Sequence, residues 1–106
     1  MLKIDDNPTF WNTVKFQLGE EEPETFKVKF TVRTFEDIDG IDLTDPETAK
    51  TFLKDTICDL DDIEDIDGKA VKYSAELVEK LLKHPHISNA IYRAYMRGAA
   101  GAEQGN

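Results

Sequence analysis

The residues that could support metal chemistry lie in an aspartate-rich segment near the middle of this 106-residue chain. Acidic residues that lead into a glycine, here Gly68, are typical of calcium loops. Aligning Gly68 with the glycine of an EF-hand loop places Ile63 and Ser74 at the first and last ligand positions, where carboxylates are needed. The sequence therefore favours a solvated acidic loop. The alternative is loose binding of a divalent ion by three side chains, Asp61, Asp65 and Asp67.

The other candidate chemical groups are two histidines and one cysteine. His84 and His86 flank a proline, and they could chelate a metal only with a third ligand, which no nearby residue provides. Cys58 has acidic neighbours, which disfavour the thiolate, so we predict a small buried thiol near the end of a helix. The sequence has no glycine-rich phosphate loop, serine-centred elbow or metalloprotease pattern. We therefore predict no enzymatic activity, no cofactor and no metal site.

The net charge of −9 comes from 22 acidic and 13 basic residues, and it is unevenly distributed. Residues 36–67 hold thirteen acidic and two basic residues, whereas residues 69–106 are mildly basic. Because phosphate recognition needs a basic surface, we expect no nucleic-acid partner. The acidic segment is expected to be a solvated face. The alternative is an imitation of the phosphate backbone that inhibits a nucleic-acid-binding protein.

Cysteine usage and hydropathy bear on the compartment. A lone cysteine cannot form an internal disulfide, so a reducing compartment is the default expectation. The apolar runs are only a few residues long, and the first residues lack the pattern of a signal peptide. We therefore expect a cytoplasmic protein without a membrane partner.

The N-terminal third predicts an antiparallel β-hairpin. Strands are predicted over residues 10–18 and 25–35, because apolar and polar residues alternate in both, without a break from Phe26 to Arg33 in the second. The acidic segment 19–24 between them contains Gly19 and Pro23 and is typical of a turn. A two-stranded hairpin is marginal by itself, so its apolar face needs either helices or the sheet of another subunit. Coverage by the sheet of another subunit would make the protein a homo-oligomer.

Three helices are predicted after the hairpin. The first spans residues 46–58, capped either by Asp45 or by Thr44, and its apolar stripe includes Ile57 and Leu60. A loop or short hairpin follows around residues 67–68. Ser74 caps a second helix that stops near residue 83, and the third runs over residues 85–97. The predicted fold is therefore α+β, an N-terminal antiparallel β-hairpin packed against about three C-terminal helices. It forms a single domain over residues 1–106, with flexible ends at 1–9 and 99–106.

The last helix carries more aromatic and methionine bulk than one buried stripe requires. Part of this bulk can pack into the domain's own core, and part can bind a partner helix through adaptable anchors. As contacts for an amphipathic partner helix we predict five residues of this helix, Ile87, Ile91, Tyr92, Tyr95 and Met96.

In the second half of the chain, a helix is followed by an acidic stretch with Asp67-Gly68, the arm and helix start at residues 71–77, a Leu-Leu pair, a Pro break at Pro85 and an Ala94-Tyr95 pair. This order of motifs resembles that of the tail assembly chaperones of long-tailed bacteriophages and prophages. The chain has leucine and aspartate at positions 60 and 62, where the family pattern has tryptophan and glycine. Phe10-Trp11 and the strand from Phe26 to Val32 also fit the β portion with which the family pattern begins.

This resemblance implies a non-enzymatic protein of the bacterial cytoplasm. Such a protein binds the tape measure protein, keeps it soluble while tail tube subunits assemble, and is absent from the finished particle. The tail tube protein is a further candidate partner. The alternatives are the acidic inhibitor described above and a minor structural subunit of the phage tail.

Overall fold

Three antiparallel strands form one sheet in the order β1-β2-β3, and helices cover one of its faces. The computed structural model describes residues 1–101, and the rest of the predicted flexible C-terminal segment lies outside them. The α+β class is confirmed. The elements in chain order are β1 (Thr9–Phe16), β2 (Glu24–Thr31), α1 (Phe35–Ile38), α2 (Pro46–Thr56), β3 (Ile57–Asp61), α3 (Ala75–Leu82) and α4 (Pro85–Ala99).

The predicted hairpin forms, with strands that end earlier than predicted. β1 and β2 pair along their whole length, from Thr9 opposite Thr31 to Phe16 opposite Glu24. Side chains of β2 alternate, so that Phe26, Val28 and Phe30 are buried under the helices. Burying each such side chain contributes roughly 1.5–3 kcal/mol to folding. The apolar face of the hairpin is thus covered within one chain.

The third strand, β3, corrects the prediction that its residues belong to a helix end and a loop. α2 ends at Thr56, and the chain continues directly into β3, which pairs with the central strand β2. Ile57 lies opposite Phe30 and Leu60 opposite Val28, and a β-bulge between these pairs accommodates one additional residue. The helices are therefore not all C-terminal, because α1 and α2 precede this strand.

Side-chain caps define where the helices begin. Asp45 caps α2 by accepting the N–H of Thr48 at 3.0 Å, which decides between the two predicted caps. The short helix α1 begins with a capping box formed by Thr34 and Asp37. Ser74 caps α3 as predicted and accepts the N–H of Leu77 at 3.0 Å.

A small hairpin around residues 63–71 and the break at Pro85 are both confirmed. The N–H of Val71 donates to the carbonyl of Ile63 at 2.8 Å, and Gly68 supplies the left-handed φ of 83° that the tight turn requires. α3 ends at Leu82, and α4 begins at Pro85, where a proline loses no helical hydrogen bond. The two helices therefore meet at a corner.

Both edge strands contain Asn or Asp side chains that bond to the following backbone N–H. An N–H satisfied in this way is not offered to another chain, which protects the edge against strand addition. Asn12 also donates from Nδ2 to the carbonyl of Ala94 at 2.9 Å, and this bond fixes β1 to α4. The three acceptors, at 2.8–3.0 Å, are Asn12, Asp59 and Asp61.

A surface ion pair between Lys54 of α2 and Glu79 of α3 makes stability depend on acidity. The hydrogen bond from Lys54, and next its charge, lower the pKa of Glu79. The carboxylate therefore stabilises the fold above about pH 4.3, the ordinary value for Glu, and this contribution is lost as pH falls through the lower folded value. We expect Glu79→Gln to destabilise the protein more at pH 7 than at pH 3, because the stabilising carboxylate is protonated as pH falls. Urea unfolding at both pH values tests this, with Glu22→Gln in the exposed turn as the matched control.

Cys58 is exposed on β3, which corrects the prediction of a buried thiol. It is the additional residue at the bulge, and its Sγ lies 3.5 Å from the carbonyl oxygen of Lys29. We expect the thiol to react completely with a disulfide reagent in native buffer. Reaction only after denaturation would contradict this placement.

Candidate partner-binding groove

A groove lies at the end of the sheet where β3 stops before β2 does. The last pair between these strands joins Lys27 to Asp61, so residues 24–26 of β2 extend beyond the third strand. Asp62 then adopts a left-handed φ of 64° and leads the chain into the small hairpin. The space bounded by the sheet, this hairpin and the α3–α4 corner has a volume of about 450 Å³. We call it the end groove.

The floor of the end groove is apolar and comes from five parts of the chain. Phe26 is buried, whereas the other floor residues are half-buried and pack against the core, so they still present apolar surface to the groove. The Pro85 break brings the last turn of α3 and the first turn of α4 to the same place. The floor consists of Phe16, Phe26, Ile63, Leu81 and Ile87.

The rim of the end groove is acidic. It carries four carboxylates, and none of them takes part in an ion pair within residues 1–101. Oδ1 of Asp65 accepts the N–H groups of Asp67 and Lys69 and thereby holds the hairpin turn, so this residue also has a structural role. Negative charge around a low-dielectric concavity attracts cations. The four rim residues are Glu24, Asp62, Glu64 and Asp65.

Of the five residues predicted to contact a partner, the structure places only Ile87 in the end groove. Met96 is 44% exposed and Tyr92 is half-buried on α4, so both still offer surface. Ile91 and Tyr95 are 0% and 4% exposed. These two need correction as contact residues, because their side chains are already packed in the domain's own core.

Tyr95 lies at the centre of an aromatic cluster that joins the sheet to α2 and α4. The centroid of its ring is 5.4 Å from those of Phe30 and Phe52 and 6.1 Å from that of Phe10. Its hydroxyl accepts the backbone N–H of Arg33 at 3.0 Å, so the polar end of the side chain is also satisfied. Its bulk is thus required for the fold.

Most of the end groove was missed by sequence reasoning. The acidic turn, the Asp67-Gly68 hairpin and the Pro85 break were each recognised, but as separate structural features. The missing information was their convergence at one end of the sheet, which depends on the pairing of β3. Ile63 lines the groove, but Ile66 has the same kind of acidic neighbours and is fully exposed, so no local signal singled out Ile63.

The histidines and the cysteine lie on different elements, His84 and His86 at the α3–α4 corner and Cys58 on β3. Within residues 1–101, no group of three or more His, Cys, Asp or Glu side chains is arranged to hold a metal ion. The rings of His84 and His86 are 5.8 Å apart, and His86 lies against the ring of Phe16, 5.4 Å between centroids. In the same part of the chain, no helix combines the length and the hydrophobicity needed to cross a bilayer.

Comparison of the chain with models of protein families, with curated proteins and with solved structures finds no match.

Proposed function

We propose that this protein is a tail assembly chaperone of a long-tailed bacteriophage or prophage. It acts without catalysis: it binds the tape measure protein and keeps this long helical client soluble while tail tube subunits assemble around it. It acts in the cytoplasm of the bacterial host.

The observation that carries the proposal is the end groove. A chaperone for an amphipathic client needs an apolar surface that accepts side chains from the client and a polar border that keeps the free chaperone soluble. The floor and the rim of the groove supply these two features. Met96 and Tyr92 on α4 add an apolar surface of the adaptable kind.

The motif order in the sequence gives independent support. The Asp67-Gly68 turn, the Ser74 cap and the Pro85 break stand in the order typical of the family. The Asp67-Gly68 turn closes the small hairpin, whose residues Ile63, Glu64 and Asp65 line the end groove, and the Pro85 break forms the corner between Leu81 and Ile87, which also line it. Of the residues that carry the resemblance, Leu81 of the Leu-Leu pair lines the groove itself.

The test is co-expression with the tape measure protein encoded in the same phage or prophage genome. We expect the soluble fraction of the client to rise when this chain is present, and the two proteins to copurify. The control is co-expression of the same client with an unrelated acidic protein of similar size, because net charge alone can improve solubility.

Two results would replace the proposal with another function. Recovery of the chain in finished tails would indicate a structural subunit. If the client aggregates regardless, and the chain instead binds a basic nuclease or repressor in a salt-sensitive manner, the acidic inhibitor becomes the better account.

A further inference from the structure

We propose that the end groove binds a basic amphipathic helix, with apolar side chains on the floor and Lys or Arg side chains on the rim. This inference deepens the proposed function, on which it rests, because it specifies the chemistry of the client segment that the chaperone selects. It also makes a prediction that can be tested without the client.

The floor requires apolar side chains from the ligand. Ile63, Leu81 and Ile87 come from three separate segments and converge on one concavity, each with part of its surface left uncovered. A ligand helix that presents residues at positions i, i+3, i+4 and i+7 offers a matching apolar stripe.

The rim determines the charge of the ligand. Glu24 comes from the sheet, whereas Asp62, Glu64 and Asp65 come from the hairpin, so the carboxylates belong to two different walls. A helix whose apolar stripe is flanked by Lys or Arg places cations against these carboxylates. An acidic helix would instead meet repulsion at the rim, and the groove therefore discriminates by charge.

Residues 102–106, which lie outside the described part of the chain, do not match this ligand in sequence. Residues 102–106 are Ala-Glu-Gln-Gly-Asn, which include one acidic residue and no basic or large apolar one. The acidic rim and the apolar floor thus favour a basic segment of another protein.

The experiment measures peptide binding by fluorescence anisotropy. The probe is a labelled 18-residue peptide of leucine and lysine with the leucines on one helical face, and its matched control has glutamate in place of every lysine. We expect the wild-type protein to bind the lysine peptide, to bind it less tightly as salt rises, and to leave the glutamate peptide unbound.

Two double variants of equal charge locate the site. Glu24→Lys/Glu64→Lys changes two exposed rim residues, and Asp39→Lys/Asp55→Lys changes two exposed residues that do not line the groove. Each variant moves the net charge from −9 to −5. We expect the rim variant to weaken binding of the lysine peptide by about tenfold or more, and the control variant by less than about threefold.

The apolar floor is tested separately with Ile87→Ser, for which we expect a loss of about tenfold, with circular dichroism to verify the fold. The inference is overturned if the lysine peptide does not bind, or if the two charge variants weaken it equally. If the peptide experiment fails while the tape measure protein still copurifies, the inference is wrong and the proposed function stands. If the lysine peptide binds at the rim but the tape measure protein does not copurify, the groove binds a basic helix and the proposed function is wrong.

Discussion

Replacing Tyr95 with alanine is expected to lower the free energy of unfolding by about 3–5 kcal/mol, a large share of the about 5–15 kcal/mol that stabilises a typical domain. The substitution removes the ring that contacts Phe10, Phe30 and Phe52, and it leaves a cavity between the sheet and two helices. It also deprives the N–H of Arg33 of its acceptor. Urea unfolding followed by circular dichroism measures the change.

The next residue along α4 is the matched control. Met96 is 44% exposed and belongs to the surface, so Met96→Ala is expected to change stability by no more than about 0.5 kcal/mol. Tyr95→Phe separates packing from hydrogen bonding, because it keeps the ring and removes only the hydroxyl, at an expected cost of about 1 kcal/mol. Equal and small losses for Tyr95→Ala and Met96→Ala would contradict the placement of Tyr95 in the core.

This pair of substitutions also bears on partner binding. A charge introduced at Tyr95 is expected to unfold the domain. The loss of binding that follows would therefore not identify Tyr95 as a contact residue. Among the five predicted contacts, Met96, Tyr92 and Ile87 are those whose side chains are exposed or half-buried, so a change there can alter binding in a folded protein. Ile91 and Tyr95 were predicted as contacts from their helical spacing, which does not show that the rest of the domain buries both side chains.

The sequence predicted the hairpin and most helix boundaries because their signals are local. The alternation in β2, the Ser74 cap and the Pro85 break each depend on a few neighbouring residues, and the structure retains all three. The strand ends were overestimated by two residues in β1 and four in β2. Alternation continues past the point where pairing with a neighbouring strand stops.

The third strand could not be found by periodicity because it contains a bulge. In a regular strand, Ile57 and Leu60 would point to opposite faces, since they are three residues apart. The additional residue at Cys58 brings both side chains to the buried face, opposite Phe30 and Val28. A spacing of three residues is also the spacing of a helical stripe, so the bulge gives the strand the periodicity of a helix.

The candidate site was harder to predict than the fold for a related reason. Its rim combines Glu24 with Glu64, which are forty positions apart, and its floor adds Ile87 from the last helix. These residues meet only because β3 pairs with β2 and stops at Asp61. Because the sequence did not predict β3, it could not predict that these residues lie together.

Gly98→Ala is expected to destabilise the protein by about 1–3 kcal/mol, although alanine is the better helix former by up to about 1 kcal/mol. Gly98 lies inside α4, in the last turn, where the sequence predicted a helix end. A Cβ atom there would lie 2.2 Å from Cε2 of Phe10, far inside van der Waals contact. Phe10 cannot simply move aside, because its ring packs between Phe30 and Tyr95, at centroid distances of 5.3 and 6.1 Å.

A double-mutant cycle with Phe10→Leu makes this prediction specific, because leucine lacks Cε2 and Cζ, two of the three ring atoms that block the Cβ and among them the nearest. Phe10→Leu alone is expected to be destabilising, but in that background Gly98→Ala should become neutral or stabilising by up to about 1 kcal/mol, so the sign of its effect reverses. Urea unfolding of the four proteins gives the coupling energy. Equal effects of Gly98→Ala in both backgrounds would show that helix propensity or the C-terminal turn, and not the contact with Phe10, determines the residue at this position. A reversal would show that glycine is needed so that β1 and α4 can approach closely, which is the contact that closes the core over Tyr95.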